Sequence, residues 1–209
     1  ESILACDEGA ADRLAKFTGL SVREPSSMEV LSEMGLESVF MPDPTLLLTG
    51  DDWSALASDD GLDTIPQSYV LLYTLNSEQK LVDRARKIAS ELGVPVVCIH
   101  YNTKKFPGMI NVRGIGPAAF LKLVSEASFV CTDSFHGACF SMNFNKSFVV
   151  KTSDSAVQSN VRITDLLARY GIEGGLYRDE VVTSAVDYGH ANQTLSHDRD
   201  TARAFIARC

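Results

Sequence analysis

Within Thr132-Asp133-Ser134-Phe135-His136-Gly137 a carboxylate, a hydroxyl and an imidazole follow one another closely. A short apolar run, Phe129-Val130-Cys131, leads into this segment, and apolar residues at helical spacing follow it. The pattern predicts a buried strand over 129–131, a tight polar turn over 133–137 and a helix over 136–144. Ligands of α/β proteins sit at the C-terminal ends of such strands. A helix start adds unpaired N–H groups and partial positive charge, which suit an anion. Histidine titrates near neutrality, so one placed at this junction can give or take a proton beside a bound anion.

Such a junction needs a sheet and a core to hold it. At 209 residues the chain suits one or two domains and can bury a substantial core. The apolar share is 45% and the charged share 22%, an ordinary globular profile. A formal net charge of −8 opposes nonspecific nucleic-acid binding, which wants a basic face. A local anion pocket is compatible with that charge. The longest apolar runs, Leu46-Leu47-Leu48 and Tyr69-Val70-Leu71-Leu72-Tyr73, fall far short of the ~20 residues of a membrane span. Five cysteines without a C-x-x-C pair form neither a disulfide framework nor a zinc site. Cys98, Cys131 and Cys139 lie in apolar segments and read as small buried hydrophobes, and the expected compartment is the cytoplasm.

The rest of the chain alternates strand and helix signals. Leu20-Ser21-Val22 reads as a short strand, followed by a capping box at Ser26-Ser27-Met28-Glu29 and a helix over 28–34 that stops at Gly35. Pro42-Asp43-Pro44 reads as a rigid structural turn that brings residues 46–48 into the core. Asp51 and Asp52 are expected to cap a short helix through residue 57. A β-rich run over 67–75 precedes an amphipathic helix over 77–92. In that helix Leu81, Ala85, Ile88, Ala89 and Leu92 form the apolar face, and Lys80, Asp83, Arg84, Arg86 and Lys87 cover the other. A buried strand over 94–99 follows Gly93, and His100 and Tyr101 end it where they can line a cleft. Helices over 117–127, 160–170 and 184–209 and a strand over 147–150 complete the pattern. It implies an α/β fold with a Rossmann-like parallel sheet and helices on both faces.

With the elements placed, the order of three motifs resembles that of the polysaccharide pyruvyl transferase family. These are Val22-Arg23-Glu24 with Ser26-Ser27, then Pro42-Asp43-Pro44-Thr45-Leu46-Leu47, then Thr132-Asp133-Ser134-Phe135-His136-Gly137. Phe144-Asn145-Lys146-Ser147-Phe148-Val149 and Ser159-Asn160 with Arg162-Ile163 are similar too. The likeness runs from about residue 12 to about residue 178. It implies that the chain resembles the C-terminal half of a two-domain GT-B-like fold. On this reading residues 1–22 are a remnant of a preceding domain or a linker. Residues 23–183 are the pyruvyl transferase-like domain and 184–209 a C-terminal helix. The partners expected are phosphoenolpyruvate, a saccharide acceptor and the missing N-terminal domain of a parent chain. No metal, other cofactor, nucleic acid or membrane span is expected.

The activity implied is transfer of pyruvate from phosphoenolpyruvate to two sugar hydroxyls of a surface polysaccharide or its precursor, forming a ketal. The donor carries a phosphate and a carboxylate, and arginine grips both bidentately. Arg23 at a strand end and Arg162 near a helix start are the candidates, with Ser134 and Gly137 holding phosphate oxygens at the turn. His136 is the candidate acid or base. Glu24, Asp133 and Asn160 are expected to support them.

Each residue has a plainer reading. His136 also suits a helix-entry histidine donating to a carbonyl, though the motif favours catalysis. Asp133 reads as a helix N-cap before a base, and Ser134 equally as cap or ligand. Arg23 also suits a structural ion pair with Glu24 or another carboxylate, and Arg162 a solvated charge. Gly114-x-Gly116 reads as a lone glycine pair with no convincing strand before it. P-loop, H-E-x-x-H and G-x-S-x-G motifs are absent, which sets aside Ser134 as a hydrolase nucleophile. Two rival functions remain open: a nucleotide-sugar glycosyltransferase donor domain, and a noncatalytic binding domain of the same fold.

Overall fold

The computed structural model describes residues 9–100, 105–152, 157–179 and 186–209. The chain forms two compact units, Glu1–Leu47 with Asn192–Cys209, and Leu48–Ala191. In the first, α1 (Ala10–Leu14) leads to β1 (Ser21–Val22), α2 (Pro25–Glu33) and β2 (Val39–Phe40). The two strands are parallel, Ser21 opposite Val39 and Val22 opposite Phe40. The expected capping box is not what starts α2. The helix begins at Pro25, three residues early, with Glu24 at the N-cap and no side-chain cap bond. Proline has a helix-ready φ and lacks only an N–H the first turn cannot use, so it starts a helix by itself. In α3 (Pro44–Leu47), Leu46 is fully buried. Leu48, expected inside, is exposed. The last helix, α9, runs Gly189–Ile206, and residue 184, its expected start, lies outside the described residues.

The second unit begins with α4 (Gly50–Ser54). Its cap is Thr49, with Asp52 completing the capping box, rather than Asp51 or Asp52. Five parallel strands follow: β3 (Val70–Thr74), β4 (Val96–His100), β5 (Ile110–Val112), β6 (Phe129–Thr132) and β7 (Phe148–Val150). Their order is β5-β4-β3-β6-β7. Every residue of β3, β4, β6 and β7 is buried, which is why these strands read as continuous apolar runs. Val70 and Leu72 of β3, Cys98 of β4 and Cys131 of β6 pack against Leu81, Val82, Ala85 and Ile88 of α5 (Gln79–Leu92). Each fully buried Leu or Ile there contributes roughly 1.5–3 kcal/mol.

Along a strand the side chains alternate between faces. Tyr73, next to Leu72, therefore meets Phe120 of α6 (Pro117–Glu126) on the opposite face, ring centroids 4.9 Å apart. Phe120 in turn meets Phe140 of α7 (Phe135–Asn143) at 5.6 Å. Helices thus cover both faces, and the fold is Rossmann-like. Gly93 ends α5 at φ 67°, a left-handed conformation that glycine adopts without cost. α5 departs from expectation at one residue of its apolar face and one of its polar face. Leu92 is exposed and Arg84 is buried, its guanidinium 4.3 Å from the Tyr177 ring centroid and donating to the Arg178 carbonyl. No helix among the described residues is long and apolar enough to cross a membrane.

The chain moves outward from β3 to β4 and β5, then returns to the other side of β3 with β6 and β7. Progress across the sheet therefore reverses between β3 and β6. From β3 the chain leaves toward α5 on one face, and from β6 toward α7 on the other. The crevice at the carboxyl ends of such a strand pair is the favoured ligand position of open α/β sheets.

Candidate active site

Ser134, read equally as cap or ligand, is the cap, and Asp133, read as the cap, is not. α7 starts at Phe135, and its cap is Ser134, whose Oγ accepts the Gly137 N–H at 3.3 Å. Asp133 is not a helix cap. Its carboxylate reaches across to the end of β3, accepting from Leu75 N (2.7 Å), Asn76 N (2.9 Å) and Thr74 Oγ1 (2.9 Å). Two neighbouring β-strands end side by side here, and a carboxylate accepting three donors satisfies the unpaired N–H groups of the adjoining loop. The correction is long-range: both residues are good caps, and the β3 loop claims the longer one.

Ser134 is itself buried, and its N–H donates to Thr132 Oγ1 at 3.0 Å. Gly137 faces the same threonine. A Cβ at Gly137 would stand 3.0 Å from Thr132 Cβ and Cγ2, and nearer still to Oγ1. The glycine is thus required for close approach of α7 to β6. Burial also pushes the Cys131 thiol up, so the cysteine two positions before Asp133 stays a neutral thiol.

The turn delivers His136, exposed, to a cavity of about 380 Å³ on the α6 and α7 face of the sheet. Tyr73, Ile99, Phe120 and Pro117 form apolar wall, and His100 and Arg113 add polar groups. Phe135 and His136 meet edge to face, their ring centroids 5.6 Å apart. His100 lines the cavity as expected, whereas Tyr101 lies outside the described residues.

The loop Gly114–Gly116 closes the cavity, and here the sequence reading is corrected. β5 does precede it, and α6 follows at once, so a strand, G-x-G-x-x-A and a helix occur in order. The strand is too short to be legible, because Ile110-Asn111-Val112 has one polar residue at its centre. Two features separate this loop from a dinucleotide site. Proline at the first turn of α6 removes one anion-binding N–H. Asp133, the acidic residue at the usual distance for a ribose contact, is spent on the β3 loop.

Arg162 sits within α8 (Val157–Tyr170), rather than near its start, because the helix begins earlier than expected. Its guanidinium lies 4.6 Å from the Phe135 ring centroid, a cation–π contact that ties it to the first residue of α7. Asn160, in the same helix, has its carbonyl accepting from Thr164 Oγ1 at 3.3 Å. Ser134, His136, Gly137 and Arg162 are thereby gathered at one helix start.

Arg23 and Glu24 belong to the first unit. Arg23 follows β1 and pairs with buried Asp43, which follows β2, at 2.5 Å, and less closely with Glu24 at 3.9 Å. Asp43 also accepts from Thr45 N (3.0 Å) and Thr45 Oγ1 (2.8 Å). The Pro42-Asp43-Pro44 turn is therefore more than a rigid bend: it presents the carboxylate that aims Arg23, whose side chain stays 39% exposed.

Sequence reasoning missed Lys151. It follows β7, is buried, and its Nζ contacts Glu78 Oε2 at 2.5 Å and donates to the Thr152 carbonyl at 3.0 Å. A lysine closing an apolar strand was the available signal. Among the described residues no cluster of His, Cys, Asp or Glu could hold a metal ion.

A family model described as polysaccharide pyruvyl transferase matches residues 6–155. That span takes in Arg23, Asp43, the Asp133–Gly137 turn and the cavity, and ends before Arg162. None of the curated proteins compared with the chain matches it.

Proposed function

The chain belongs to the polysaccharide pyruvyl transferase family, and we propose that it moves pyruvate from phosphoenolpyruvate onto two hydroxyls of a saccharide as a ketal. The observation that carries this reading is the delivery of His136 to a cavity at the C-terminal ends of the strands, on a turn that also opens a helix. The helix start supplies N–H groups and positive potential for a phosphate. The Ser134 hydroxyl keeps its hydrogen for an anion while its oxygen caps the helix. Arg162, held on the Phe135 ring, adds charge beside the same turn. Arg23, aimed by Asp43, suits a carboxylate or phosphate through its planar fork.

The reaction sets a proton balance. One proton reaches the donor's methylene carbon, and a sugar oxygen bonds to the neighbouring carbon. The bond from that carbon to the phosphate oxygen breaks, inorganic phosphate leaves, and a second hydroxyl adds. Of the two hydroxyl protons, one matches the methyl group formed and the other the released phosphate. His136 is suited to deliver the first, a role worth about 10²–10⁴-fold in rate.

The experiment is calorimetric titration of phosphoenolpyruvate into the wild-type chain and its Arg23→Ala and His136→Gln variants. Binding that survives His136→Gln and fails with Arg23→Ala supports the division of roles. The strand, glycine loop and helix at residues 110–126 favour one other reading, a nucleotide-sugar glycosyltransferase. Tight uridine diphosphate binding with no response to phosphoenolpyruvate supports that reading instead.

A further inference from the structure

The first unit leaves apolar surface uncovered. Of the nine residues of α2, Leu31 alone is buried, and neither β1 nor β2 has a buried residue. A parallel strand pair normally lies inside a larger sheet that is covered on both faces. Between α2, the segment entering β1 and the end of α9 runs an open groove of about 890 Å³. Leu20, Met28, Leu36, Val39 and Phe205 supply its apolar wall. Gly19 fixes its form, because a Cβ there would stand 2.7 Å from Phe205 Cζ and 2.9 Å from Cys209 Sγ. The end of α9 therefore lies flush against the chain entering β1, and the groove is preformed.

Charge selects what fits it. Glu29, Glu33 and Glu37 line the groove, all three exposed, and among the described residues no lysine or arginine does. None of these carboxylates has an ion pair among the described residues. Such a groove suits an apolar side chain carried beside a cation. The chain holds that combination at the groove's own edge. Phe17, 65% exposed, directly precedes Thr18 of the lining. Exposed Lys16 comes before it, with no carboxylate partner among the described residues, and Arg13 of α1 adds a second exposed cation. Ile206, next to Phe205, is 55% exposed and extends the apolar patch.

A knob and a hole that adjoin on one surface meet the requirement of a two-fold pair, in which each copy offers both at once. We propose that this face is a dimer interface between two copies of the chain. Phe17 of each copy enters the groove of the other, and Lys16 meets the groove's carboxylates. A second copy covers the ring and the groove together, whereas an unrelated cationic partner in the groove would leave Phe17 in water. The interface is independent of the pyruvyl-transfer reading.

Sedimentation velocity of the full chain, at concentrations up to about 100 µM, is expected to show a reversible dimer. Its dissociation constant should rise with added salt. Phe17→Asp should abolish the dimer at an unchanged urea midpoint, because the ring it replaces lies mostly in water. Two charge variants test the pairing. Lys16→Glu sets acid against acid in a pair of like copies. The double variant Glu33→Lys with Glu37→Lys sets base against base. Each alone should associate about tenfold or more weakly than the wild type. An equimolar mixture of the two should recover the dimer, because each knob then meets a groove of opposite charge. A wild-type chain that stays monomeric over the whole range overturns the proposal. So does a folded Phe17→Asp that still dimerises, or a mixture that associates no better than its components.

Discussion

Gly137 lies against Thr132 with no room for a methyl group, the shortest contacts of a Cβ there falling on the threonine side chain that ends β6. The residue after the candidate acid is thus fixed by packing. Its own N–H is also engaged, by Ser134 Oγ.

Gly137→Ala should therefore destabilise the chain. Overpacking costs about 1–3 kcal/mol, and the helix propensity of alanine returns up to about 1 kcal/mol. A lower urea midpoint at unchanged slope is the expected result. An equal or higher midpoint would show that α7 can move off β6.

Asp133→Asn replaces one carboxylate oxygen by a donor that faces the donors of the β3 loop. A loss of about 1–3 kcal/mol follows from the unmet N–H groups. Hydrogen exchange should report it locally, as faster exchange at Leu75 and Asn76. Protection unchanged at both amides would contradict the bonds described.

His136→Gln keeps size and polarity at an exposed position, so the melting temperature should stay put. Turnover measured as phosphate release should fall about 10²–10⁴-fold. A variant with full turnover removes His136 from the chemistry.

Stability should decline as the solution becomes alkaline. Burial pushes the Cys98 thiol up to about 12 from 9.0, and raises Cys131, Tyr69 and Tyr188 as well. Tyr69 and Tyr188 also donate to the carbonyls of Leu123 (2.8 Å) and Lys146 (2.6 Å), which only the neutral phenol can do. Each folded pKa is raised, so this stabilisation is complete below the unfolded values and is lost as pH climbs through the folded ones. The melting temperature should be flat with respect to these groups up to about pH 8 and fall progressively from about pH 9. Replacing Cys98 by alanine should flatten part of that fall.

Legibility in the sequence followed the range of the forces involved. The buried strands read correctly because a parallel sheet covered on both faces demands apolar runs, as in residues 70–74. The strand–turn–helix at His136 read correctly for the same local reason. Three of the assignments that failed depended on partners distant in sequence. Asp133 and Ser134 are equivalent caps until β3 supplies three donors to one of them. Arg84 reads as a surface cation until Tyr177 and the Arg178 carbonyl receive it. Asp43 reads as a turn residue until Arg23 arrives. β5 escaped because its central residue, Asn111, faces His100 rather than a core.

The strand order carries a consequence for synthesis. β3, β4 and β5 are contiguous in the chain and can pair as residues 70–112 emerge. The other edge of β3 must then wait for β6, whose Phe129 pairs with Val70 from 59 positions away. Until then a strand whose every residue is destined for burial presents an unpaired edge, the kind that recruits other chains. The most vulnerable moment of this polypeptide is thus a half-built sheet, and slowing translation between the codons for Val112 and Phe129 should lengthen it.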